Sequence, residues 1–141
     1  MQSLEKLKLL ALLLLRVALG VIFISHGLPK LTHSGQWVQN FRHMGFPGYF
    51  AYIAGILETF GGALLIAGLF TRIVGLLLAI EMAVALVQVH GLLSHPANVH
   101  SYELPLLLCV GAFALATVGA GVISLDQVLF ERRPAPARKK A

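Results

Sequence analysis

Two things are scarce in this chain: thiols and charge. It holds one cysteine, Cys109, in 141 residues, which excludes an intramolecular disulfide and any Cys-x-x-Cys redox pair. Cys109 lies in an apolar run and reads as a small core residue. Charged residues make up 12% of the chain, against roughly 25% in a soluble domain, so a soluble domain of any size is excluded. Acidic residues are the rarer sign, with six Asp and Glu against eleven Lys and Arg. The cation excess is not a nucleic-acid patch, because it sits at the two ends of the chain. Lys6 and Lys8 lie at one end and Arg132, Arg133, Arg138, Lys139 and Lys140 at the other, the pattern of a positive-inside membrane protein.

What is abundant is hydrocarbon. Hydrophobic residues reach 57% and the mean hydropathy is +0.82. Four apolar segments stand out, Leu9 to Leu28, Phe50 to Phe70, Ile73 to His90 and Tyr102 to Val122, each near the length that crosses a bilayer. They predict an all-α integral membrane protein, a left-handed bundle of four transmembrane helices with both ends in the cytoplasm (N-in/C-in). The first segment has the basic start and leucine run of a signal peptide, but Arg16 interrupts it and no small-x-small cleavage site follows. It is expected to remain as the first span. The turn Gly68 to Arg72 is then cytoplasmic, and the loops 29–49 and 91–101 face outward. Ala112, Ala116 and Ala120 give the fourth span a face for close contact. Residues 1–126 form one membrane domain, and 127–141 read as a basic, disordered cytoplasmic tail that can lie against anionic lipid.

The first outer loop has its own pattern. Trp37, Phe41 and Met44 recur at helical spacing among polar residues, which predicts a short interfacial helix with Trp37 inward, either an anchor or a lid over the bundle mouth. Gly45-Phe46-Pro47-Gly48 ends it.

The residue around which the rest is arranged is Glu58, a lone carboxylate inside the second span. Gly55, Gly61 and Gly62 lie within about 60° of it on a helical wheel, so another helix can approach there. A carboxylate at that depth costs roughly 2.5–3.5 kcal/mol on insertion scales, so it faces protein and has a partner or a proton. In the first span, Arg16, His26 and Lys30 share an arc of about 80°. From the rise per residue, Glu58 lies between Arg16 and His26 in height, which predicts an Arg16–Glu58 ion pair with His26 above it. Lys30, His90 and Tyr102-Glu103 are placed at the same outer mouth. Glu81 and Gln88 fall opposite a presumed packing face of Arg72, Ala79, Ala83 and His90, leaving Glu81 either against a second subunit or protonated near lipid.

Simpler roles exist for several of these groups. Arg16 can snorkel to headgroups, and Lys30 and Arg72 stand at span ends where basic residues meet the interface. His33, His43, His95 and His100 read as solvated loop residues, and the spacing of His90, His95 and His100 matches no strong metal pattern.

The ordered set Arg16, His26-Gly27-Leu28-Pro29-Lys30, Gly45-Phe46-Pro47, Glu58-Thr59-Phe60-Gly61-Gly62, Thr71-Arg72, His90, Tyr102-Glu103 and Ser124-Leu125-Asp126 resembles the DoxX family of small four-helix bacterial membrane proteins, over about residues 9–126. The resemblance implies a bacterial inner-membrane location and an association with redox work, as in a subunit of thiosulfate:quinone oxidoreductase. The thiol-exchanging relatives carry cysteine pairs that this chain lacks, and no heme or flavin motif is visible.

On that basis the expected function is a redox-associated subunit linked to a quinone or a sulfur compound. The catalytic candidates are Arg16, His26, Glu58, His90 and Glu103, and the ligand-binding candidates Lys30, Arg72 and Tyr102. The cofactor is a bound quinone, its carbonyls meeting hydrogen-bond donors and its reduced form meeting Arg16 and Lys30. Alternatively a sulfur anion such as thiosulfate meets Lys30 and Arg42. Electrons come from a partner protein; the other partners are the lipid bilayer and a second copy of the chain, with no nucleic acid. The alternative is a non-enzymatic scaffold, or a solute- or metal-handling protein in which the six histidines serve copper or zinc.

Overall fold

The computed structural model describes residues 2–94 and 96–130. Six helices follow in order: α1 (Gln2–Thr32), α2 (Ser34–His43), α3 (Phe50–Ala67), α4 (Thr71–Gln88), α5 (Val99–Val118) and α6 (Leu125–Leu129). Among the described residues there is no strand. Helices α1, α3, α4 and α5 are each long and apolar enough to cross a bilayer. The 18 residues of α3 rise roughly 27 Å, close to the ~30 Å hydrocarbon thickness. The chain is a four-span, multi-pass membrane protein, and the leucine run is part of its continuous first span.

Two antiparallel helix pairs make the bundle, α1 with α3 and α4 with α5, and α3 packs on α4 between them. Small residues set both close pairs. A Cβ built on Gly20 would lie 2.6 Å from the Gly62 carbonyl oxygen, and one on Gly62 would lie 2.6 Å from that of Gly20. Farther along, Gly27 abuts Glu58 and Thr59, and Gly55 abuts Lys30 and Leu31. Gly20 and Gly27, like Gly55 and Gly62, are seven residues apart, the repeat of a left-handed crossing. In the second pair Gly75 lies against the Ala112 and Ala116 backbone, on the close-contact face expected for the fourth span. Leu19, Phe23, Leu65, Leu78, Met82, Leu108 and Leu115 fill the centre.

Several boundaries differ from those expected. The third span starts at Thr71 and ends at Gln88, and the fourth runs from Val99 to Val118. Gly119, with φ of 90°, stops α5 early and turns the chain back beneath the bundle. There Ser124 caps α6 by accepting from Gln127 N at 3.2 Å, so residues 125–129, partly assigned to the tail, form a helical turn. The basic segment 132–140 and His95 lie outside the described residues. The outer loop contains its predicted short helix, α2, with Trp37 half-buried.

A Lys30–Glu58 pair at the outer end

Glu58 sits in the middle of α3 and is 2% exposed. Its carboxylate faces α1, and the group that meets it is Lys30 Nζ, which donates to Glu58 Oε2. Lys30 comes from the last turn of α1, and its four-carbon stem reaches back down toward α3. Trp37 of α2 lies over the ammonium, with its ring centroid 5.5 Å from Nζ, within cation–π range. The ion pair is thus enclosed by α1 and α3 and roofed by an aromatic ring.

A second carboxylate, Glu81 of α4, lies within electrostatic range of both Glu58 and Lys30. Its Oε2 is buried and has no hydrogen-bond partner among the described residues, and Thr59 Oγ1, next in sequence to Glu58, is in the same condition. Buried polar atoms are nearly always bonded, to protein or to ordered water. Two orphans beside one ion pair therefore mark a polar spot in an apolar bundle.

Arg16 is not part of it. This guanidinium is 2% exposed, but every hydrogen bond it donates goes to backbone at the opposite end of the bundle. Nε reaches Leu65 O at 3.0 Å, Nη2 reaches Ile66 O at 3.0 Å, and Nη1 reaches Ala120 O at 2.7 Å and Ile123 O at 2.6 Å. The first two are carbonyls of the last turn of α3, where Leu65 O also accepts from Gly68 N at 3.1 Å. The expected Arg16–Glu58 pair is thus incorrect, and the cause is register. With Gly20 on Gly62, Arg16 falls level with Leu65 and Ile66, roughly 10 Å below Glu58.

Comparison with known proteins settles the kinship. The DoxX family pattern matches residues 11–91. The chain is 36% identical over 119 residues to the protein named putative oxidoreductase CatD of Bacillus subtilis, covering 84% of this chain and 87% of that one. The chain belongs to the DoxX family. Two further relatives are the inner membrane protein YqjF of Escherichia coli, 27% identical over 89% of this chain and 96% of its own, and an uncharacterized membrane protein of Mycobacterium tuberculosis, Rv3486, 28% identical over 86% and 82%. No solved structure matches. Four apolar helices and these relatives identify a multi-pass protein of the bacterial inner membrane.

The remaining candidates of this DoxX chain scatter. His26 is exposed, with Nδ1 2.9 Å from the Ile22 carbonyl of its own helix, although it remains near enough to Glu58 to influence it electrostatically. The expected inward placement of His26 above the pair is therefore not found, because α1 presents Gly27, not His26, to α3. His90 is half-buried and holds Ala85 O at 3.0 Å, closing its own helix. Glu103 points outward and pairs with His100 at 3.3 Å, one turn away. Tyr102 is buried, and its hydroxyl donates to Pro96 O, so it pins the second outer loop. Arg72 lies at the inner end, exposed, far from the others. The predicted convergence of all four spans shrinks to Lys30, Glu58 and Glu81, with His26 at the margin.

Glu81 also corrects the wheel reading of the third span. The face of α4 that packs inward is Thr71, Val74, Gly75, Leu78, Ala79, Met82 and Leu86; Arg72 and Ala83 are exposed. Glu81 stands at the edge of the packed face, one turn from Leu78. Lys30, which the sequence places at the outer mouth, is the partner of Glu58. The contacts that decide it are those of Gly27 on Glu58 and Thr59 and of Gly55 on Lys30 and Leu31, which set Lys30, not Arg16, beside Glu58.

The described residues hold no group of three His, Cys, Asp or Glu able to hold a metal ion. The copper or zinc alternative therefore draws no support from them.

Proposed function

We propose that this DoxX protein is a redox-associated subunit of the inner membrane, and that its outer end takes a quinone. The observation carrying this reading is the buried Lys30–Glu58 pair beneath Trp37, with the unpartnered oxygen of Glu81 beside it. The relative CatD, by its name an oxidoreductase, supports the same reading. Reduction of a quinone takes two electrons and two protons. In this scheme a partner redox protein delivers the electrons, since the single thiol, Cys109, donates to Ala79 O at 3.4 Å inside the α4–α5 contact. Lys30 donates to a quinone carbonyl and balances the charge of the reduced ring. Glu58 and Glu81 relay the protons, and Trp37 offers a flat apolar face.

The test is lipid extraction of protein purified from native membrane, with quinone measured by mass spectrometry, followed by quinone titration of the delipidated protein. Near-stoichiometric quinone is expected in the parent, reduced about tenfold or more in Glu58→Gln, on the scale of one lost charged hydrogen bond. A parent protein that carries no quinone and binds none on titration overturns the proposal. The second reading is a scaffold, favoured by Arg16, whose hydrogen bonds all serve backbone carbonyls. It predicts normal stability and no small-molecule binding at the outer end.

A further inference from the structure

At the inner end of the bundle, opposite the Lys30–Glu58 pair, a cavity of about 450 Å³ opens between the start of α4 and the segment that follows α5. Its wall is mixed: the exposed apolar side chains of Phe70, Ile73, Val118, Val122 and Phe130 stand beside Ser124, Asp126 and Gln127. One cation, Arg72, stands among them. Its guanidinium lies across Gly119, where a built Cβ would be 3.2 Å from Nε, and its Nη2 reaches Val118 O only at 3.5 Å. Among the described residues the fork makes no other hydrogen bond.

Charge counting separates Arg72 from its neighbour Asp126, which also borders the cavity. Asp126 is occupied: Oδ1 accepts from Phe70 N at 2.6 Å, Oδ2 from Thr71 N at 2.9 Å, and its charge is felt by Arg16. Among the described residues that line the cavity, the carboxylate is thus taken up by two amides, while the guanidinium is exposed.

Phe70 supplies an independent observation. Among the described residues it is the non-glycine with positive φ, 51°, a conformation that costs a bulky side chain and persists only where its surroundings impose it. Asp126 imposes it, by binding the amides of Phe70 and Thr71. The result is a ring on the rim of the cavity, 5.5 Å from that of Phe130. A glycine would make the turn without strain, but would leave the rim without its ring.

We infer that this cavity binds one anionic phospholipid of the cytoplasmic leaflet, with its phosphate on Arg72 and an acyl chain along Ile73, Val122 and the Phe70–Phe130 pair. The depth suits this occupant. The cavity lies where α3 and α4 meet, at the end of an 18-residue span, which is the hydrocarbon–headgroup boundary. A bidentate guanidinium matches a phosphate diester, and the cytoplasmic leaflet is the anionic one. The inference does not depend on the quinone reading, because the two sites are at opposite ends of the bundle.

The experiment is native mass spectrometry of the delipidated full chain, titrated with phosphatidylglycerol and with phosphatidylcholine of the same acyl chains. The parent is expected to retain one phosphatidylglycerol about tenfold more strongly than phosphatidylcholine, the scale of one charged hydrogen bond. Arg72→Gln removes that preference, whereas Lys8→Gln, a cation outside the cavity, leaves it intact. Phe70→Gly weakens retention of both lipids while the melting temperature holds or rises. Equal retention of the two lipids by the parent overturns the proposal. So does a preference that survives Arg72→Gln, one that Lys8→Gln abolishes equally, or displacement of the bound lipid by millimolar inorganic phosphate alone.

Discussion

Lys30, in the last turn of α1, closes an ion pair with Glu58, which lies buried halfway along α3. The pair joins the two helices whose glycines bring them closest. Its partners are unequal: the carboxylate is enclosed, with a side chain 3% exposed, while the lysine is 12% exposed and keeps a path to the interface. Removing either member is therefore not symmetrical. Lys30→Met leaves a buried carboxylate without its cation and is expected to destabilise the bundle by about 3–5 kcal/mol, whereas Glu58→Gln, whose amide still accepts from Lys30, should lose about 1–2 kcal/mol. Thermal unfolding in detergent reads both. A milder effect for Lys30→Met than for Glu58→Gln would contradict the burial order.

Arg16 donates to four carbonyls, those of Leu65 and Ile66 in the last turn of α3 and those of Ala120 and Ile123 in the segment after α5. Arg16→Ala takes the guanidinium from all four, of which Leu65 O keeps Gly68 N, and a loss of at least about 3 kcal/mol is expected. Arg16→Lys keeps the charge but not the fork, and should recover less than half of that. Melting temperatures of the two variants, with hydrogen exchange at Gly68 and Leu69 as the local reporter, check this.

The α1–α3 crossing depends on absent side chains. Gly20→Ala places a methyl 2.6 Å from a backbone oxygen, so the helices must separate, with an expected loss of about 1–3 kcal/mol. Gly35→Ala in α2 meets nothing within 4 Å and should be neutral, or stabilising by up to about 1 kcal/mol through helix propensity. Equal melting temperatures for these two variants would contradict the packing described.

The α3–α4 turn sets a cost against a cap. Asp126→Ala frees the amides of Phe70 and Thr71 and should destabilise by about 0.5–2 kcal/mol, the range of a lost helix cap. Phe70→Gly relieves the left-handed backbone and should offset part of that loss in the double variant. Chemical denaturation of the two single variants and the double one tests the pairing.

Much of this fold can be read from the chain because bilayer physics leaves few options. A run of apolar residues of sufficient length has to be a helix, so four runs gave four spans, and Trp37, Phe41 and Met44 gave α2. What a wheel cannot supply is height between helices. Arg16 and Lys30 share a face of α1, and choosing between them as the partner of Glu58 required the register that Gly20, Gly27, Gly55 and Gly62 encode. Glu81 was misplaced for a related reason: in a span apolar on every side, hydrophobicity does not tell the packed face from the lipid face. Gly75, pressed on Ala112 and Ala116, does. The role of Asp126 was hidden differently, since a cap delivered from 55 residues away has no local sequence signature.

The measurement that bears most directly on the central claim is a pair of double-mutant cycles sharing Glu58→Gln, one with Lys30→Met and one with Arg16→Gln, read by equilibrium unfolding in detergent. The structure predicts a coupling of at least about 1.4 kcal/mol between positions 30 and 58, and additivity within about 0.5 kcal/mol between 16 and 58. Coupling that appears with Arg16 and vanishes with Lys30 would contradict it.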